Sequence, residues 1–188
     1  ETGKRFRLRV YVHNGASKDG NNNGSGPSVA HGVKVKVGNV ENVTGSSFTP
    51  NATISASNAD TRLDNMNITC SDGKQVTMSY VRGSANQYTS STGTVGISDD
   101  IVLGNGATIG SRDKNSGDVW GCWDERVFVT LVVEVKEVPK QVPSSAVCYV
   151  DDKFFKQTDR TVTITVDAQL ENATKTGKYE INWGDGSA

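Results

Sequence analysis

The chain has 188 residues, a formal net charge of −1 and only 35% hydrophobic residues, with 24 Val against 5 Leu, 18 Thr, 18 Ser, 15 Asn and 20 Gly. Valine and threonine suit pleated strands while glycine and asparagine suit turns, a balance that argues against a helical bundle or coiled coil. The near-neutral charge argues against a globally basic nucleic-acid binder, and no apolar run reaches the ~18–20 residues of a membrane-spanning helix.

The first expected strand alternates Phe6, Leu8, Val10 and Val12 with Arg5, Arg7, Arg9 and Tyr11, the period of a strand with one apolar face. The stripe of Arg5, Arg7 and Arg9 reads as solvated edge-strand charge that discourages aggregation. A polyanion site there would need stacking aromatics interleaved with the arginines. A polar loop follows over 17–28, containing Asp19-Gly-Asn-Asn-Asn-Gly24. That segment matches the opening of a calcium loop, with Asp19, Asn21 and Asn23 as oxygen donors. The twelfth position is Ala30 where a bidentate Glu is expected. A polar loop is therefore the preferred reading, and a weak calcium site the alternative.

Val33, Val35 and Val37 alternate with Lys34 and Lys36, and Val76, Met78 and Tyr80 repeat the pattern. Lys34 and Lys36 fall on the polar face, which speaks against a buried lysine crosslink. The longest run, 126–136, sets Val127, Val129, Leu131, Val133 and Val135 on one face and Phe128 and Val132 on the other. It predicts a central strand covered on both sides. No segment shows a helical period. Strands separated by loops of Gly, Asn and Ser predict an all-β sandwich of two sheets over 4–138.

A Pro-containing linker is expected over 139–146, and a second module over 147–188 with strands near 148–150, 161–166 and 178–183. About 40 residues is short for a domain that folds unaided. The module is expected to be cut short, or completed by a strand from a neighbouring chain.

Three cysteines, Cys70, Cys122 and Cys148, leave one over. A Cys70–Cys122 disulfide is the favoured pairing, closing a loop of about fifty residues worth about 3–4 kcal/mol. Cys122–Cys148, or three reduced thiols, are the alternatives. Asn23, Asn42, Asn51, Asn67 and Asn172 head glycosylation sequons that matter if the chain passes through a secretory route. Any leader peptide is expected to have been removed already. Composition and cysteines together predict an extracellular location.

Catalytic motifs are missing: there is no nucleophile elbow, no H-E-x-x-H and no P-loop. His13 and His31 flank a glycine-rich loop, where a polar histidine is ordinary. The acid pairs Asp99-Asp100 and Asp151-Asp152 read as solvated loop residues. Trp120 and Trp123 are expected to pack near Cys122, although exposed indoles, including that of Trp183, would suit a sugar face.

Tyr179-Glu-Ile-Asn-Trp-Gly-Asp-Gly-Ser187 resembles the PKD family of Ig-like modules, in which a strand ending in an aromatic residue enters a Gly-Asp-Gly-Ser turn. Here Trp183 would close the strand, Gly184 and Gly186 would take positive φ, and Asp185 would bond neighbouring amides. The resemblance implies a spacer or adhesion module outside the cell, sometimes associated with sugars. Val10-Tyr-Val-His-Asn14, Gly96-Ile-Ser-Asp-Asp-Ile-Val102 and the segment from Gly121 to Thr130 are similar to large modular surface proteins of candidate-phylum bacteria. Those proteins combine Ig-like repeats with PKD-like modules; the similarity covers most of 4–138 and implies an Ig-like sandwich and surface display.

The resulting expectation is a non-enzymatic extracellular structural or adhesion module of a cell-surface, stalk or filament protein, with no cofactor. Its partners would be a surface protein, a glycan or neighbouring copies joined by strand addition, with no nucleic acid. A carbohydrate-binding module using exposed tryptophans is the alternative.

Overall fold

A computed structural model describes residues 3–138, together with the backbone of 145–150, 156–158, 161–163 and 166–171. The chain divides into two units, 1–138 and 139–188. In the first unit the strands are β1 (Lys4–Val12), β2 (Lys34–Gly38), β3 (Val43–Gly45), β4 (Ser47–Phe48), β5 (Asn51–Ser55) and β6 (Arg62–Asn65). They continue with β7 (Ile68–Thr69), β8 (Val76–Tyr80), β9 (Asn86–Thr89), β10 (Gly93–Gly96), β11 (Ala107–Thr108) and β12 (Val127–Glu137). A single α-helical turn, α1 (Asp100–Leu103), buries Ile101 in the core.

The 11 residues of β12 organise a six-stranded antiparallel sheet. Along one edge β12 pairs with all of β1, from Lys4↔Val135 to Val12↔Val127. Its other edge is shared: Phe128–Thr130 pair with β9, and Val133–Glu137 pair with β8. β10 extends β9, and β3 extends β8. The second sheet runs β11-β2-β5-β6, and β4 pairs with β7 as a separate ribbon. Val35 and Val37 of the second sheet meet Met78, Tyr80, Val127, Val129, Leu131 and Val133 of the first in one core cluster. The all-β sandwich read from the valine alternation is the observed fold.

Two expectations for this unit change. β12 is central, but only one of its faces is covered: Val127, Val129, Leu131 and Val133 are buried, whereas Phe128, Thr130, Val132 and Glu134 are half-exposed. The apolar residues of that second face lie among arginine side chains, not under another layer.

The Cys70–Cys122 disulfide is not formed; both are free thiols. Cys70 follows β7 and lines a cavity with Phe6 and Glu137, beside the start of β1. Cys122 donates its amide to the Asn14 carbonyl at 3.3 Å, beyond the other end of β1. The 9 residues of β1 span about 30 Å at ~3.3 Å per residue. A disulfide needs Cα atoms within ~7 Å.

In the second unit β13 (Ser145–Val150) pairs antiparallel with β16 (Val166–Glu171), and β14 (Lys156–Thr158) with β15 (Thr161–Thr163). The expected strand at 178–183, the turn of Trp183, Gly184, Asp185 and Gly186, the sequon Asn172 and the acids Asp151 and Asp152 lie outside the described residues. So does the side chain of Cys148.

Candidate functional site

The outer face of the first sheet carries a row of aromatic rings. Register creates it: β1, β12 and β9 bring Tyr11, Phe128 and Tyr88 to one level, with Tyr11 opposite Phe128 and Phe128 opposite Tyr88. Ring centroids are 5.4 Å apart for Tyr11–Phe128 and 6.4 Å for Phe128–Tyr88. His13 continues the row 6.0 Å from Tyr11, and Trp123 lies 5.2 Å from His13 and 6.4 Å from Tyr11. Such spacings are those of attractive aromatic pairs. Interplanar angles of 36° to 79° make the row a ridged surface, not a flat plate.

Exposure marks these rings as available. Trp123 is 61% exposed, Tyr88 50% and Tyr11 41%. Guanidinium groups lie over several rings: Arg9 is 5.6 Å from the Phe128 centroid, and Arg126 is 5.1 Å from Trp123 and 5.8 Å from Phe128. Cation–π attraction holds the charges against the face, and Arg126 also donates to the Trp123 carbonyl at 3.0 Å.

The segment carrying Trp123 is fixed from far away in the sequence. The Asn21 side chain accepts from the Gly121 N–H at 2.8 Å and donates to the Gly121 carbonyl at 2.6 Å. Asn14 donates to the carbonyls of Ser28 and Val119 at 2.8 and 2.9 Å. A Cβ on Gly121 would meet the Ala16 carbonyl oxygen at 2.8 Å and that of Ser28 at 2.9 Å, so only glycine fits this clasp. The next residue, Cys122, has φ 146°, a conformation L side chains rarely adopt, and it costs roughly 1–3 kcal/mol. The short 3-10 turn Trp123–Glu125 then projects Trp123 outward while burying Glu125. Arg112 binds the Glu125 carboxylate through two nitrogens and stacks 4.1 Å from the Trp120 ring. Trp120 is thereby a packing residue, Trp123 an exposed one.

The three predicted calcium donors have different surroundings. Asn21 is 4% exposed and its carboxamide is committed to Gly121, while Asp19 and Asn23 are exposed. Among the described residues no group of three His, Cys, Asp or Glu side chains could hold a metal ion. Asn23, Asn42 and Asn67 are exposed and Asn51 half-buried; Asn42 accepts from Ser79 and Asn67 from Thr49.

The two histidines separate. His13 joins the ring row, whereas His31 Nδ1 is 2.8 Å from Asp118, and among the described residues no hydroxyl is hydrogen-bonded to either ring. Asp99 is structural, accepting from the Tyr80 hydroxyl at 2.6 Å and the Gly83 amide at 2.8 Å. Burial, with the Asp99 carboxylate beside it, pushes the Tyr80 phenol up to about 12.

Tyr11, His13, Tyr88, Arg126 and Phe128 were not singled out as a site from the sequence. The available signal was that Tyr11 shares the arginine face of its strand. No protein-family profile matches the chain, and neither a curated protein nor a solved structure is significantly similar to it.

Proposed function

We propose that the chain is a non-enzymatic adhesion module displayed outside the cell, and that it holds its target through the ring row on the outer face of the first sheet. One observation carries the reading: Trp123, 61% exposed, is held outward by a strained and clasped segment and continues into Tyr11, Phe128 and Tyr88. Large apolar rings kept in solvent at a conformational cost mark a contact surface. The reading of surface display draws on the sequence resemblance of 147–188 to the PKD family and of most of 4–138 to large modular bacterial surface proteins.

The same rings favour a second, narrower reading, a carbohydrate-binding module, because sugar rings stack on aromatic faces. A glycan array probed with the wild-type chain and with Trp123→Ala and Tyr88→Ala tests both. Retention of a glycan class that falls about tenfold or more in each variant, as for loss of a contact worth ~1.4 kcal/mol, supports the carbohydrate reading. Silence on the array with Trp123-dependent adhesion to protein-coated surfaces leaves the adhesion reading alone. Binding that ignores both substitutions overturns the site.

A further inference from the structure

A second surface is built differently from the ring row. Among the described residues β1 pairs with β12 alone, and β6 pairs with β5 alone. Both strands therefore end their sheets on the same side of the sandwich, and the core opens to solvent between them. A cavity of about 390 Å³ lies in this seam, lined by Leu8, Val10, Ile54, Leu63 and Met66 among others. Cavities of about 590 and 780 Å³ continue it toward the two ends of β1, at Val12 and at Phe6. Leu63 and Met66 are 65% and 47% exposed. An edge strand beside an apolar groove is a template for one more strand.

We infer that this seam receives an extended segment of a partner protein in which apolar residues alternate with acidic ones. Backbone pairing with β1 would turn alternate side chains of the added strand into the groove, beside Leu8 and Val10. The side chains between them would stand next to Arg5, Arg7 and Arg9. On the β12 side only Arg5 faces an acid, Glu134 at 3.6 Å, which Lys136 also engages at 2.7 Å. Arg7 stands opposite Val132, and Arg9 opposite Thr130. Two guanidinium groups thus face no carboxylate on the strand already present. On the far rim Arg62 and Asp64 alternate in sign and favour neither charge.

A second copy using the same strand is disfavoured, because it would set one arginine column against another, and like charges directly opposite destabilise a strand pair. The stripe therefore rejects self-pairing and selects an acidic partner. It acts as a filter on a usable edge.

The test uses the intact chain and three synthetic peptides as long as the 9 residues of β1: alternating valine and glutamate, alternating valine and lysine, and valine and glutamate in blocks. The alternating glutamate peptide is expected to bind about tenfold more tightly than the lysine one at low salt, a gap that closes as salt rises. It should slow hydrogen exchange at alternate amides of Lys4–Val12, while the block peptide does neither. The triple variant Arg5→Glu, Arg7→Glu, Arg9→Glu should invert the preference. Leu63→Asp, on the groove wall, should weaken the glutamate peptide with the stripe intact; both variants change exposed side chains, and an unchanged thermal transition confirms the fold. Equal affinity for the two alternating peptides, protection confined to another strand, or a peptide-free dimer that protects β1 would each overturn the proposal.

Discussion

The two faces of β12 are made by the same eleven residues and do opposite things. Inward, Val127, Val129, Leu131 and Val133 are at most 1% exposed and interlock the sheets. Outward, Phe128, Thr130, Val132 and Glu134 are half-exposed, with Phe128 beside Tyr11 and Tyr88 and Glu134 beside Arg5 and Lys136. One face is a packing surface whose partners are fixed. The other is a display surface, its rings ordered by register across three strands. A strand can thus be central in hydrogen bonding and peripheral in burial.

Removing packing from the inner face is the most direct way to break that contrast. Leu131→Ala should lower unfolding free energy by about 3 kcal/mol in denaturant titration, from lost burial and the cavity left behind. Trp123→Ala on the display side should change it by less than ~0.5 kcal/mol. Equal losses would show that the outer face is structural after all.

The clasp ranks next. Asn21→Ala leaves the buried Gly121 amide and carbonyl without their partner and should cost about 2 kcal/mol. It should also free the Trp123 segment, visible as a shift of indole fluorescence toward that of a solvated ring. A stability loss with unchanged fluorescence would separate the clasp from the display of Trp123.

Tyr80 gives the smallest and most specific effect. Its phenol titrates near 12 in the folded chain against 10.0 when unperturbed, chiefly through burial and then through Asp99. Because the folded pKa is raised, the protonated phenol's stabilising contribution is complete below pH ~10 and is lost as pH rises through ~12. Tyr80→Phe should cost about 1 kcal/mol at neutral pH through the lost hydrogen bond and should flatten the decline in stability between those two pH values. An unchanged alkaline decline in the variant would assign it to other groups.

Alternation made β1, β2, β8 and β12 legible, since a period of two reports one buried face whatever the partner strand is. Pairing was not legible. Nothing local says that Tyr11 meets Phe128, more than a hundred positions later, so the arginine stripe looked bare of aromatics when they stood on the adjacent strand. The same limit applies to Asn21. In sequence its loop has the spacing of cation donors, and only the arrival of Gly121 turns its carboxamide inward. Cys70 and Cys122 looked pairable because both flank strands, yet they belong to opposite ends of β1. Val132 and Phe128 suggested a covered second face because hydropathy does not tell an apolar residue under a layer from one beside arginine stems.

The pairing of the first strand with the last also has a mechanical meaning. Lys4 lies opposite Val135, and Gly3 donates its amide to Val135 at 2.6 Å, so the start of β1 and the end of β12 lie side by side at one end of the strand pair. Tension between those ends loads the β1–β12 bonds one pair after another instead of all together. Pulled in that way, the β1–β12 pair should part like a zipper from the Lys4 end. The Tyr11–Phe128 pair lies next to the last in that sequence, so the ring row keeps its geometry until nearly every other bond of the zipper has parted.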